Sequence, residues 1–277
     1  MAKIVWLASY PKSGNTWMRT FFWALMNKGP LNLNRIQTGG IFSGKNVVEN
    51  SLDVNPDLFH AHELEEMQRQ AHGQYFSKAT ETKFIKVHDA YTFSMWDGKP
   101  LIPLEPHHKV LHIVRNPLDV VPSFANHSSK DYDSIIEKSL NNPNGGLAQK
   151  HSWGNQFGQL MGTWSMHTAS WMNQDVAPMK LVRYEDMHAS PFETFKSIVQ
   201  FVGFDVTDEK IQETIDRTRF DKIQQLEAEK GFRENVNLES RFFFHGKTNR
   251  WKEVLNEEQI EKIVSVHYKM MKKQGYL

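Results

Sequence analysis

Three groups of residues in this 277-residue chain have the types and spacing for chemistry on an anion. The first is Ser9-Tyr10-Pro11-Lys12-Ser13-Gly14-Asn15-Thr16-Trp17, a turn bearing Pro and Gly between an apolar run and a helical pattern. Backbone N–H groups at such a junction have no partner inside the helix and carry partial positive charge, so they hold an anion, and Lys12 adds a full cation. The second is Lys86-Val87-His88, at the end of a β pattern whose alternation puts both polar side chains on one side of the backbone. A histidine of ordinary pKa, about 6.5, is largely neutral at physiological pH and can accept a proton. The third is Arg115 with Ser123 eight residues on, a spacing that lets a strand-end Arg and a helical Ser converge on one phosphate. Taken singly, each has a plainer reading: a structural turn, a satisfied core histidine, and a Pro-initiated helix with a surface ion pair to Asp119.

These groups need a frame that brings strand ends together. Val5 to Ala8, Thr82 to Val87, Lys109 to Val114 and Met179 to Arg183 read as strands. Helical patterns cover Thr16 to Met26, Pro56 to Gln70, Leu118 to His127, a stretch ending near Asn173, Pro191 to Val202, Asp208 to Asp216 and Glu257 to Lys273. Gly29 to Asn55 reads as loop, and Ser128 to Gly158 as polar and irregular. The alternation predicts an α/β fold, a single domain over residues 1–277 with a central parallel sheet and helices on both faces. Ligands of such sheets bind beyond the strand C-termini, where the strand order reverses. All three groups fall at strand C-termini.

Composition narrows the partners. A formal net charge of +1 provides no global field to recruit nucleic acid or a membrane surface. The absence of cysteine excludes a disulfide framework and thiolate chemistry and suits a reducing compartment. No apolar run is long enough for a membrane span, so a cytoplasmic location is expected. No His or carboxylate cluster has obvious metal-ligand spacing, and no fixed-period repeat is present.

Residues 9–17 depart from the Walker A order, because Lys12 precedes Gly14 rather than following the last glycine. The segment closely resembles the P-loop-like 5′-phosphosulfate loop of the cytosolic-type sulfotransferases, which use 3′-phosphoadenosine 5′-phosphosulfate (PAPS). The resemblance extends to Lys252 through five separated elements in the family's order. It implies that Pro11, Lys12, Ser13, Gly14, Asn15, Thr16 and Trp17 hold the phosphosulfate end, that Lys86 stabilises the transferring group, and that His88 is the general base. It further implies that Arg115 and Ser123 bind the 3′-phosphate, that Trp17, Thr218 and Phe220 flank and bond the adenine, and that Tyr184 touches the nucleotide. The match is poorest at the C-terminal clamp. There Gly246, Trp251 and Lys252 agree with the family, whereas Phe244-His245 and Asn249-Arg250 replace an Arg-Lys pair and a Gly-Asp pair. Backbone groups around Gly246, and a cation from Lys247, Arg241 or Arg250, would then serve the 3′-phosphate. The family's dimer motif is not recognisable in Glu253 to Glu258, so the oligomeric state stays open.

The activity implied by the resemblance is transfer of a sulfuryl group from PAPS to a hydroxyl or amine of a small-molecule acceptor, releasing 3′,5′-ADP without a metal. Lys12 would assist the departure of 3′,5′-ADP, and Ser123 would hold Lys12 back until acceptor binds. An aromatic or apolar alcohol or phenol is the expected acceptor. Its contacts would come from residues 126–171, where His151, Trp153, Phe157, Trp164 and His167 serve either as acceptor contacts or as core. Two other readings stand beside this one: a small-molecule kinase with a variant P-loop, and a non-catalytic nucleotide-binding relative.

Overall fold

The computed structural model describes residues 3–36, 38–147, 154–235, 237 and 239–277. Strands β1 (Ile4–Ser9), β2 (Lys83–Val87), β3 (Lys109–Val114) and β4 (Met179–Arg183) form one parallel sheet in the order β2-β1-β3-β4. The chain leaves β1 for β2 on one side and crosses to β3 on the other. That reversal opens a crevice beyond the C-terminal ends of β1 and β3.

Every residue of β1 is buried, because helices cover both faces of the sheet. Val5 and Leu7 join Met18, Phe21 and Phe22 of α1 (Asn15–Met26) on one face. Ile4, Trp6 and Ala8 join Val87 and Trp171 on the other. Burial on both faces accounts for an unbroken apolar run in place of polar/apolar alternation. The remaining longer helices are α2 (Lys45–Leu52), α3 (Ala61–Ser77), α4 (Pro117–Ser128), α5 (Trp164–Met172), α6 (Tyr184–Ala189), α7 (Pro191–Val202), α8 (Asp208–Arg217), α9 (Phe220–Lys230) and α10 (Glu257–Lys273). Among the described residues, no helix is long and apolar enough to cross a membrane.

The structure differs from the sequence expectations where tertiary contacts outweigh local pattern. The expected loop 29–55 contains α2, a polar helix that buries little beyond Lys45 and Val48 and is held against α3. The helix expected from Pro56 is two pieces. A 3-10 turn at Pro56–Leu58 is capped by the Asn55 side chain, and α3 starts afresh where the His60 N–H donates to the Glu63 carboxylate. The stretch 128–158 holds a helical turn, Tyr132–Ile135, which runs into a π-helical turn, Ile136–Leu140. Helix α9 has no counterpart in the sequence reading, and it carries side chains that shape the site.

Candidate functional site

The turn after β1 is fixed from three directions. Gly14, at φ 106°, caps α1 with no side-chain partner and no acid in the helix's first turn, so the helix N-terminus keeps its positive character. The Asn15 amide donates to Leu7 O at 2.8 Å and to Ser9 Oγ at 3.1 Å, and Arg115 reaches from β3 to donate to Lys12 O at 3.0 Å. Gly14 is required here, because a Cβ would lie 2.7 Å from the Tyr184 ring. The Arg115 guanidinium stands 4.3 Å from the same ring's centroid. Lys12 itself takes a left-handed backbone, φ 66°, which costs a non-glycine residue about 1–2 kcal/mol and persists only where the surroundings impose it.

This turn forms the floor of a cleft of about 1860 Å³. Pro11, Lys12, Gly14, Asn15, Thr16 and Trp17 line it, and so do Lys86, His88, Arg115, Ser123, Tyr184, Phe220, Gly246 and Lys247. The residues read from separate strand ends are therefore brought together. Two stand apart. Ser13 is fully buried, its hydroxyl without a partner among the described residues. Thr218 lies in a side hollow with Trp17 and Phe220; its hydroxyl donates to Thr214 O and its carbonyl accepts from Trp17 Nε1 at 2.8 Å.

Burial and crowding of like charge shape the electrostatics. Among the described residues Lys12 Nζ has no hydrogen-bond partner, and it sits 3.5 Å above the Phe242 ring; burial, then Lys86 and Arg115, push its pKa down to about 7. The Lys12–Ser123 hydrogen bond expected from the resemblance is not formed in this arrangement, although both residues line the cleft. Burial and Arg19 lower Lys86 to about 8, while Glu234 at 3.5 Å partly restores it. Burial, then Lys86, hold His88 well below the usual histidine range. His88 Nδ1 lies 2.7 Å from Ser9 O. A carbonyl only accepts, so Nδ1 carries the ring proton and Nε2 keeps its lone pair.

Several side chains that the sequence reading passed over complete the site. Glu234 accepts from Arg19 through both carboxylate oxygens, at 2.8 to 3.0 Å, and burial alone would raise its pKa, but Arg19 and Lys86 hold it below the usual range. The segment from residue 239 to 251 closes over the cleft on three anchors. Glu227 of α9 accepts from Phe242 N and Phe243 N, Gln224 donates to the carbonyls of Phe243 and Phe244, and Asp119 accepts from Asn249 N and Trp251 N. Asp119 thus supports the clamp and is buried rather than part of a surface ion pair. Arg115 also donates to Lys247 O, and Tyr184 Oη donates to Gly246 O. Of the three candidate replacement cations, Lys247 and Arg250 line the cleft and Arg241 does not. Arg19 was legible in principle, since it shares a helix face with Thr16 one turn before it. Glu234 sits in a polar loop with no local signal.

Three of the aromatic residues considered for acceptor contacts fall in the core. Trp164 and His167 are fully buried, Phe157 packs with Val48 and Ala71, and none of the three lines the cleft. His151 and Trp153 lie outside the described residues. Among the described residues, the one grouping with metal-ligand proximity is Glu105, His107 and His108, away from the cleft. Trp6 Nε1 and Glu105 N both approach His108 Nδ1 at 3.2 Å, which occupies that nitrogen and leaves the proton on Nε2.

A family model described as a sulfotransferase domain matches residues 3–275. Cytosolic sulfotransferase 17 of Arabidopsis thaliana is 23% identical over 290 residues, covering 98% of this chain and 75% of the relative. Flavonol 3-sulfotransferase of Flaveria bidentis is 24% identical over 274 residues, covering 94% and 78%. Among solved structures, mouse sulfotransferase SULT7A1 complexed with PAP aligns with TM-score 0.61 at 18% identity, over 97% of this chain and 84% of that one. Retinol dehydratase, in complex with androsterone and the inactive cofactor PAP, gives TM-score 0.61 at 19% identity, over 97% and 80%. At these identities the structural likeness shows the shared fold.

Proposed function

We propose, since the chain belongs to the sulfotransferase domain family, that it transfers a sulfuryl group from PAPS to a hydroxyl of a small-molecule acceptor, with the whole chain acting as one domain in the cytoplasm. The observation that carries the reading is the His88 Nδ1–Ser9 O contact at 2.7 Å, which leaves Nε2 as the nitrogen free to take a proton on a histidine that lines the cleft with Lys12, Lys86 and Arg115.

The residues present fit the donor. An uncapped helix N-terminus, the unpartnered Lys12 Nζ and the unpartnered Arg115 Nε are buried groups that want an anion. Lys12 and the turn's N–H groups would hold the 5′ end, Arg115 and Ser123 with the Gly246–Lys247 backbone the 3′-phosphate, and Trp17, Tyr184 and Phe220 the base. When bound, PAPS supplies an activated sulfuryl group. The acceptor oxygen forms a bond to sulfur, the bond from sulfur to the phosphate oxygen breaks, and His88 Nε2 takes the acceptor's proton. Lys86 offsets charge on the transferring group, and Lys12 that on the departing phosphate oxygen. These cations allow the reaction without a divalent metal. The acceptor belongs to the alcohol or phenol class, in keeping with a relative named for flavonols.

The test is transfer of label from ³⁵S-PAPS to a hydroxylated acceptor in the presence of EDTA. Turnover that persists with EDTA, with no phosphoryl transfer from Mg-ATP, is the expected result. Phosphoryl transfer that needs Mg²⁺ would establish a kinase instead. Tight 3′,5′-ADP binding without any transfer would establish a non-catalytic relative.

A further inference from the structure

Beyond His88 the cleft runs between the start of α2 and residues 154–160, and carboxamides dominate that wall. Asn46, Asn50, Asn155, Gln156 and Gln159 all line it. Backbone bonds knit the two limbs together: Lys45 N donates to Asn155 O at 3.0 Å, and Phe157 N to Ser43 O at 2.7 Å. The same limbs are tied to the residues two before and two after the proposed base. Phe42 N donates to Lys86 O at 2.8 Å, and Ala90 N to Leu160 O at 2.8 Å. The wall therefore flanks His88 by construction.

Gln159 is the most constrained member. It is 5% exposed, and its Nε2 donates to Gln156 Oε1 at 3.2 Å, an oxygen that also accepts from Ser43 Oγ at 3.1 Å. Its own Oε1 is buried without a partner among the described residues. Leaving such an acceptor unsatisfied is unfavourable, so a ligand that donates a hydrogen bond there gains accordingly. Among the described residues, the side chains of Asn46, Asn50 and Asn155 make no hydrogen bond either, and a carboxamide can both donate to and accept from a hydroxyl. Of the side chains expected to contact a flat apolar acceptor, Phe157, Trp164 and His167 are buried and do not line the cleft.

We propose that the acceptor is a hydroxyl-rich molecule, that the carboxamide wall reads the hydroxyls flanking the one to which sulfuryl is transferred, and that Gln159 is the specificity-determining residue. The proposal rests on the donor and base assignments above. An acceptor with a single hydroxyl on an apolar body leaves the wall unpaired, and sites built to hydrogen-bond a hydroxyl discriminate strongly against analogues that lack it.

The experiment compares kcat/KM with PAPS for two pairs of acceptors, methyl β-D-glucopyranoside against cyclohexanol and quercetin against 2-naphthol. The affinity for 3′,5′-ADP is measured alongside by calorimetry. The expected result is a preference of at least tenfold for the hydroxyl-rich member of one pair, with that ratio falling at least tenfold in Gln159→Leu while 3′,5′-ADP affinity holds. Because Gln159 is buried, Asn50→Ala and Asn155→Ala, on exposed residues, provide a second measure and should each lower the ratio several-fold. The proposal is overturned if the single-hydroxyl member is preferred in both pairs, if the variants lower both members of a pair equally, or if protein that binds 3′,5′-ADP turns over none of the four. Absence of 3′,5′-ADP binding overturns the donor assignment itself, and this proposal with it.

Discussion

The Glu234 carboxylate stands 3.5 Å from Lys86 Nζ while its two oxygens grip the Arg19 guanidinium. A loop distant in sequence thus brings an anion to the cation assigned to the transferring group. The pairing keeps two buried cations from facing each other uncompensated.

Replacing Glu234 by Gln removes the shared counter-charge while keeping the volume. With its side chain 29% exposed, the expected loss of stability is about 1–3 kcal/mol, read from urea unfolding in the absence of nucleotide. An unchanged midpoint would mean that the pair is not maintained in solution.

Nucleotide binding should be coupled to protons. Lys12 at about 7 and Lys86 at about 8 lie far below the ordinary lysine value because burial and neighbouring cations disfavour charge. An incoming phosphate favours the charged forms and raises both values. A group whose pKa rises on binding takes up a proton between its free and bound values, so 3′,5′-ADP binding at pH 8 to 9 should take up protons, and binding at pH 6 should take up almost none from these groups. Affinity should accordingly weaken as pH rises through 7 to 9. Calorimetry in buffers of different ionisation enthalpy reads the uptake, and Lys12→Met should reduce it.

His88→Ala should lower kcat by about 10²- to 10⁴-fold while 3′,5′-ADP binds as before. In the wild type, His88 is held low, so the acid limb of kcat/KM should lie below the ordinary histidine pKa. Lys86 contributes to that depression, so Lys86→Met should move the acid limb to higher pH as well as slowing transfer. An acid limb that stays in place in Lys86→Met would remove His88 as its origin.

Gly246 is at φ 61°, and a Cβ there would lie 2.3 Å from the Phe220 ring. Gly246→Ala must therefore displace either the ring or the clamp backbone, at about 1–2 kcal/mol for the left-handed conformation alone. The expected result is at least tenfold weaker 3′,5′-ADP binding, with kcat at saturating PAPS affected much less. Unaltered affinity would show that Phe220 and Gly246 do not share a nucleotide contact.

The parallel sheet and the three polar groups at its strand ends were legible from sequence, because doubly covered strands leave unbroken apolar runs and the polar residues follow them directly. Lys109 to Val114 and Met179 to Arg183 coincide with the observed strands, and α1 starts one residue earlier than its pattern. Helices α2 and α9 were not legible, since both are largely polar and owe their place to contacts with α3 and with the clamp.

What the sequence alone determined was the chemistry on offer: an anion-holding turn with Lys12, a histidine at a strand end beside Lys86, and an Arg–Ser pair that joins the end of the next strand to the helix after it. Each depends on neighbours within about ten residues, and local pattern carries such information. Only the tertiary structure decided that His88 Nδ1 is bonded to Ser9 O, that Glu234 neutralises Arg19 and Lys86, that Asp119 and Glu227 anchor residues 242–251, and that Gln156 and Gln159 line the same cleft as His88. Those relationships join residues tens to hundreds of positions apart, and they exist only once the sheet order has brought the strand ends to one edge.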